Sequence, residues 1–350
     1  MTPLVRRKKD HLELCITKSV EHSTKNTGLE EVYLVPKALP EFDFEELDLS
    51  VDFLGRKFSS PLFITGMTGG PFETEKINFT LAEMAESESI VMGLGSQRVA
   101  LRNKKLQKSF QLKKKFPKLF LVGNLGFAQL VDDDALSLCA QAVDMVEADA
   151  LAIHLNLLQE LVQEDGDRIF KKFLLQLENI CQNLRVPVII KDVGCGLDLK
   201  SFYQIRAAGV AAVDIGGSGG TSWSLIEGLR ARSKVYQSVG KTFQDWGIPT
   251  AYAMKNIHDF DASMTVTATG GVRDGLQVAK LLGLGARLVG VGLPFLKAAV
   301  GGKKPTQEIY QTFIHELKVA MICAGAQNVK QLAQRVRVSE HFQNSLKLFV

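Results

Sequence analysis

The chain reads as an α/β protein, a (β/α)8 TIM barrel with an N-terminal segment and a C-terminal helical extension. Three observations predict this. Eight short apolar runs recur along the sequence, amphipathic segments separate them, and most runs end in glycine or polar residues. Near-continuous apolar strands alternating with helices make a parallel sheet covered by helices. Polar residues crowded after nearly every strand favour the closed barrel over an open doubly wound sheet.

In chain order the runs are "PLFITGMTGG" (61–70), "SIVMGLGSQR" (89–98), "LFLVGNLG" (119–126), "ALAIHLN" (150–156), "PVIIKDVG" (187–194), "AAVDIGGSGG" (211–220), "MTVTATGG" (264–271) and "RLVGVGLP" (287–294). Helical periodicity marks "INFTLAEMAES", "DDDALSLCAQAVDMVEA" and "DRIFKKFLLQLENICQNL" between them. Residues 1–60 precede the barrel and 302–350 follow it as the helical extension. No linker or low-complexity stretch splits 1–350 into separate domains. The basic run "RNKKLQKSFQLKKKFPK" (102–118) is expected to form the wet face of a barrel helix.

Composition narrows the class further. With 46% hydrophobic and 23% charged residues, 350 residues can bury a sizeable core. The net charge of +4 is a mild welcome for anionic ligands. One charged segment without aromatic platforms does not make a nucleic-acid surface. Five dispersed cysteines without a CxxC pair suit reduced thiols in the cytoplasm better than a disulfide framework. "MTPLVRRKKDHLELC" has no apolar stretch behind its basic residues, and no apolar run approaches the roughly 18 residues of a membrane span. A cytoplasmic protein with neither a membrane nor a nucleic-acid partner is therefore expected.

"HLNLLQE" (154–160) poses the chemical question, because such a density of polar groups seldom stabilises a core. In a barrel these residues meet "MTGG", "GSQR", "GNLG", "KDVG", "GGSGGT" and "TGG" on one rim. "GGSGGT" (216–221), "TGG" (269–271) and "GVG" (290–292) let backbone N–H groups approach a phosphate, at the strand ends where this fold commonly binds one. No Rossmann or P-loop spacing occurs. Lys191, inside an apolar strand, either stabilises negative charge at the rim or pairs structurally with Asp192 or Asp214. Asn124 and Ser96 add neutral hydrogen-bonding groups. Together these suggest flavin mononucleotide, although another phosphorylated ring fits the same residues. Trp223 and Trp246 can stack on a ligand or pack helices, and Cys195, with no adjoining histidine, is a bystander. No Ser-His-Asp set or Cys/His metal cluster is evident.

"RKKDHLELC" (7–15), "FITGMTGG", "MGLGSQRVAL", "NLGFAQL", "AIHLNLLQE", "GGSGGTSW", "FQDWGIPTA", "ATGGVRDGLQVAKLLGLGA" and "ELKVAMICAGA" follow one another along almost the whole chain. In that order they closely resemble the type 2 isopentenyl-diphosphate delta-isomerases, the flavin-dependent class. Two departures stand out: Leu157 replaces a frequent proline, and Asp192 a frequent glutamate. The shorter Asp192 leaves the partner of Lys191 undecided.

The resemblance implies interconversion of isopentenyl and dimethylallyl diphosphate by a proton shift across the allyl unit, with reduced FMN as acid and base. The protein then contributes binding, orientation and electrostatics. Thr65, Gly66, Met67, Thr68, Ser96, Asn124, Lys191, Thr221, Gly270 and Gly271, with the backbone of Gly290, Val291 and Gly292, are implied to hold the flavin. Arg7, Lys8, His11, Arg98, His154 and Asn156 are implied to hold the diphosphate. Glu160 is the implied Mg2+ ligand, and Gln159 hydrogen-bonds near the alkene. With Lys191 these two form the expected catalytic group. NADPH or another reductant would prime the flavin, and a homo-tetramer or octamer is the implied assembly. "EHSTKNTGLEE" (21–31) is a candidate lid. The rival readings are another FMN-dependent barrel oxidoreductase and a non-catalytic barrel that binds a phosphorylated ligand. The first would bring a His-Gly-Arg cluster near strand seven, absent here, and the second has no need of Gln159 and Glu160 beside His154.

Overall fold

Each of the eight apolar runs contains one strand of a single closed parallel barrel. The strands are β1 (Leu62–Ile64), β2 (Val91–Gly93), β3 (Phe120–Gly126), β4 (Ala150–Leu155), β5 (Val188–Asp192), β6 (Ala212–Asp214), β7 (Val266–Ala268) and β8 (Leu288–Val291). The computed structural model describes residues 3–70 and 72–349, so residues 1–2 of the N-terminal segment and residue 350 of the extension lie outside it. Nearly every strand residue is buried, because one face meets the barrel interior and the other the helices. That two-sided burial is why the runs are continuously apolar rather than alternating. β4 departs at its end, where His154 and Leu155 are half-buried at the rim.

Register decides which rim residues become neighbours. Gly126 pairs with His154, His154 with Lys191, Lys191 with Asp214, and Asp214 with Thr267. One row across five strands thus sets the histidine, lysine and aspartate side by side. At the opposite end, a hairpin of Val51–Phe53 and Arg56–Phe58 turns through Leu54 and Gly55, both at positive φ. Its Phe58 packs edge-on against Phe120 at the start of β3, with ring centroids 5.3 Å apart.

Four features of the segments around the strands stand out. The helix Lys303–Ala324 packs on the helices Phe72–Ser87 and Gly275–Gly283, which follow β1 and β7. It packs against the helical ring of the barrel, and the remainder of the extension follows it. That remainder is not wholly helical, since Val336–Val338 pairs antiparallel with Val32–Leu34 of the N-terminal segment. The basic run 102–118 forms two short 3-10 turns, Lys104–Ser109 and Leu112–Lys114, rather than a barrel helix. Phe110, Leu112 and Phe116 of that run are buried, which places lysines around an irregular apolar anchor. Segment 21–31 is tied down: His22 donates its N–H to Gly220 at 2.9 Å, Ser23 donates its N–H to the Asp245 carboxylate at 2.7 Å, and the Ala251 N–H reaches Thr27 at 2.9 Å. It is a strap across the loops after β6.

Candidate active site

Every residue the sequence singled out for the site lines one cavity at the carboxyl ends of the strands, except Val291. Val291 is fully buried in β8, and its carbonyl accepts the Thr65 N–H at 3.2 Å. Helix α1 (Pro3–Thr17) covers the mouth and carries Arg7, Lys8 and His11 into the lining.

One side of the cavity is backbone. Gly270 has φ 113°, and a β-carbon there would lie 2.0 Å from the Gly217 carbonyl oxygen. A β-carbon on Gly66 would lie 2.1 Å from the carbonyl of Leu94. No side chain fits either position. The N–H groups of Gly270, Gly271 and Gly292 enter no loop or cap hydrogen bond among the described residues. Helix α2 (Leu293–Gly301) starts immediately after Gly292. Free N–H groups beside a helix N-terminus favour an anion. With the adjoining Thr65 to Thr68 loop and the Asn124 amide in the same lining, this cradle fits a phosphorylated ring such as FMN.

Lys191 stands between the two sides. Its Nζ donates to the Asp192 carbonyl at 2.9 Å and lies 3.7 Å from Asp214 Oδ2. The Asp192 carboxylate has turned away: Oδ1 accepts the N–H groups of Gly194, Cys195 and Gly196 at 2.9, 2.6 and 3.0 Å. The short side chain thus caps its own loop, and Asp214 is the charge partner of Lys191. Burial pushes Asp192 up to about 7, even against the Cys195 and Gly194 N–H donors and the Lys191 charge, and pushes Asp214 up as well.

The other side is made of side chains that hold one another. His154 Nδ1 meets Asn124 Oδ1 at 2.7 Å, and the Asn124 Nδ2 donates to the Leu94 carbonyl at 2.8 Å. That second bond fixes the amide, so the imidazole proton sits on Nδ1. Burial, then the charges of Lys191, Lys8, Arg7 and Arg98, lower His154 to about 3 and keep it neutral. Burial and Arg7 bring Lys8 down to about 7. Arg98 is engaged end-on by Asp167, with contacts of 2.8 and 3.3 Å.

Glu160 lies in a short helix, α3 (Leu157–Val162), and is buried. Its Oε1 accepts from Asn156 Nδ2 at 2.9 Å and its Oε2 from the Asp167 N–H at 2.9 Å. The Asn156 Oδ1 is buried without a partner. No group of three or more His, Cys, Asp or Glu residues that could hold a metal occurs among the described residues. One carboxylate with a spare amide oxygen beside it fits a hard divalent cation completed by ligand oxygens and water.

Several residues of this side escaped the sequence reading. Glu227, on α4 (Trp223–Arg230), is fully buried and accepts from His11 Nε2 at 2.8 Å and Gln159 Nε2 at 2.9 Å, with Arg230 on its other oxygen. Burial pushes this carboxyl up, but His11, Arg230 and Gln159 outweigh it and hold it at about 2. His11 is therefore committed to Glu227 through Nε2. Trp223 packs edge-on against His11, centroids 5.2 Å apart. Trp246 is exposed against Phe243, away from the cavity. Cys195 is also outside the lining, and burial raises its thiol. Gln129 and Gln163 line the cavity too. "NLGFAQL" and "HLNLLQELVQ" contain those two glutamines, but nothing in the spacing brings Glu227 or Asp167 to the site.

Residues 102–339 match the family described as FMN-dependent dehydrogenase. Among curated proteins, the chain is 43% identical over 328 residues to an isopentenyl-diphosphate delta-isomerase of Archaeoglobus fulgidus, covering 93% of each chain. It is 40% identical over 326 residues to the protein of that name in Nostoc sp., again covering 93% of each. Among solved structures, a flavocytochrome b2 variant with sulfite bound superposes with a TM-score of 0.69 at 16% identity, covering 97% of this chain and 84% of the other. A mandelate oxidase variant with benzaldehyde gives 0.64 at 17% identity, covering 96% and 97%. At such identities these two structures share the fold alone.

Proposed function

The chain belongs to the FMN-dependent isopentenyl-diphosphate delta-isomerases, and from that premise we propose how its cavity divides the work of converting isopentenyl to dimethylallyl diphosphate. One observation carries the reading. A glycine-lined cradle and a cluster of cations beside the Glu160 carboxylate line a single cavity. The cradle suits the flavin phosphate, and the cations suit a second, substrate diphosphate.

On this reading Arg7, Lys8, Arg98 and His154 surround the diphosphate, and Glu160 would hold a Mg2+ ion, which would neutralise part of the diphosphate charge. Reduced FMN supplies acid and base at the alkene when bound. The protein orients the reacting unit and keeps water away. Gln159 is neutral, and its Nε2 is held by Glu227, which leaves its amide oxygen on the opposite side, 3.4 Å from Asn156 Nδ2. It positions the alkene rather than titrating. Lys191, backed by Asp214, places a cation next to the cradle and stabilises negative charge there.

Finer parts of the proposal are reduction of the flavin by NADPH and a cytoplasmic homo-oligomer, a tetramer or octamer. Support for assembly comes from an apolar face. Leu157 and Leu161 on α3, Leu229 on α4 and Val235 on the adjoining helix α5 (Lys234–Thr242) are all exposed on helices that pack together. No helix is long and apolar enough to cross a membrane among the described residues.

The test is an isomerase assay on the purified protein with its flavin oxidised, reduced with dithionite, and removed. Turnover is expected with reduced flavin and magnesium alone. Isomerisation by the flavin-free protein sinks the reading.

A further inference from the structure

Arginine offers a carboxylate or phosphate two forks, an end-on pair from its terminal nitrogens and a side-on pair from Nε and one terminal nitrogen. In Arg98 the end-on fork is taken by Asp167. The Nε–H is buried and unpartnered, in a residue that lines the cavity. An unpaired buried donor on a guanidinium is costly unless a ligand completes it. Asp167 itself cannot swing freely. Its N–H is bound to Glu160 Oε2 at 2.9 Å, Gln129 Nε2 donates to its carboxylate at 3.2 Å, and a β-carbon on Gly166 would sit 2.0 Å from the Glu160 carbonyl. The loop after α3 is thus pressed onto the metal side of the cavity while its aspartate grips the arginine that follows β2.

We propose that Asp167 is the positioning residue of the diphosphate clamp: it holds the end-on fork of Arg98 so that the side-on fork is presented to a diphosphate oxygen. Through its backbone N–H it also sets Glu160, so one residue aligns the cation and the metal ligand that receive the same anion. The inference deepens the proposed function and rests on the reading of Arg98 as a diphosphate ligand. Nothing in the sequence pattern pointed to Asp167, because it serves the site through two other residues.

The experiment uses the holoenzyme with reduced flavin and magnesium. Binding of inorganic pyrophosphate, KM and kcat for isopentenyl diphosphate, and flavin content are measured for wild type, D167N, D167E, R98A and the R98A/D167N double variant. D167N should raise the pyrophosphate Kd and the KM about tenfold, the scale of one charge-assisted hydrogen bond, with kcat within about twofold and flavin retained. D167E should recover part of the loss. On the R98A background D167N should add less than about twofold, since the residues act as one unit. If R98A weakens pyrophosphate but D167N leaves it unchanged or tighter, the role of Asp167 is overturned while the clamp stands. That role is equally overturned if D167N costs as much without Arg98 as with it. If R98A itself binds pyrophosphate like wild type, Arg98 is not a ligand, and the clamp and the inference fall together.

Discussion

The wall formed after β7 and β8 meets the cavity with backbone, whereas the wall formed by α1, α3 and α4 meets it with charged side chains. In the first, glycines stand where a β-carbon would strike a carbonyl, and the donors are amides that never titrate. In the second, many side chains are already engaged within the protein: His11 and Gln159 with Glu227, Arg98 beside them with Asp167, Glu160 with Asn156. The difference teaches how each side tolerates change. Backbone donors are preorganised and fail all at once when space is lost. A network of side chains fails by degrees, and its strength depends on pH.

The sharpest way to break this comparison is Gly270→Ala. The new methyl group meets the Gly217 carbonyl at 2.0 Å on a backbone with φ 113°, so the loop must move. Flavin affinity is expected to fall by more than about 100-fold, a loss of more than about 3 kcal/mol at 1.4 kcal/mol per decade. Absorbance of the purified protein checks it, and a fully yellow variant would show that the cradle is not the phosphate site. On the other wall, Glu160→Gln should retain flavin yet lose about 100-fold in magnesium-dependent activity, of the order that Lewis-acid stabilisation supplies. A magnesium titration of activity decides it, because an unchanged magnesium dependence removes Glu160 from the metal.

Glu227→Gln probes the network where no ligand is touched. A buried carboxylate holding His11, Arg230 and Gln159 is lost, at an expected cost of about 3 kcal/mol in stability. Its pH signature has a definite sign. The folded carboxyl lies at about 2, below its ordinary 4.5, so its stabilisation is present above pH 4.5 and disappears as the pH falls toward 2. Denaturant unfolding at pH 7 and pH 4 should show that the variant loses less on acidification than wild type. The smallest effect concerns Lys8, held at about 7 by burial and Arg7. In the empty site it gives up its proton as the pH rises through 7, so pyrophosphate binding should weaken above that pH. Lys8→Arg keeps its charge throughout and should flatten that part of the profile by a fewfold. Calorimetric titrations at pH 6.5 and 8.5 distinguish the two proteins.

Some of this architecture is written locally. Continuous apolar runs are what a strand buried on both faces requires, so eight runs sufficed to place β1 to β8 and the rim. Glycine clusters are local in part: a positive φ, as at Gly270 and Gly271, is set within the loop, whereas the carbonyls that crowd them belong to Gly217 and Gly219 in the loop after β6. The heptad 154–160 announced itself by a density of polar groups that seldom stabilises a core. Other features waited for tertiary structure. Asp192 and Asp214 are equally plausible partners for Lys191 in the sequence, and only the loop that folds back over Asp192 leaves Asp214 to the lysine. The packing of the helix Lys303–Ala324 was hidden too, because a helix shows its apolar face in its sequence but not which neighbours will bury it. Glu227 and Asp167 lie 68 and 69 residues from the groups they hold, Gln159 and Arg98. Hydrogen bonds act over about 3 Å, and chain separation carries no information about that distance until strand register and helix packing have set it.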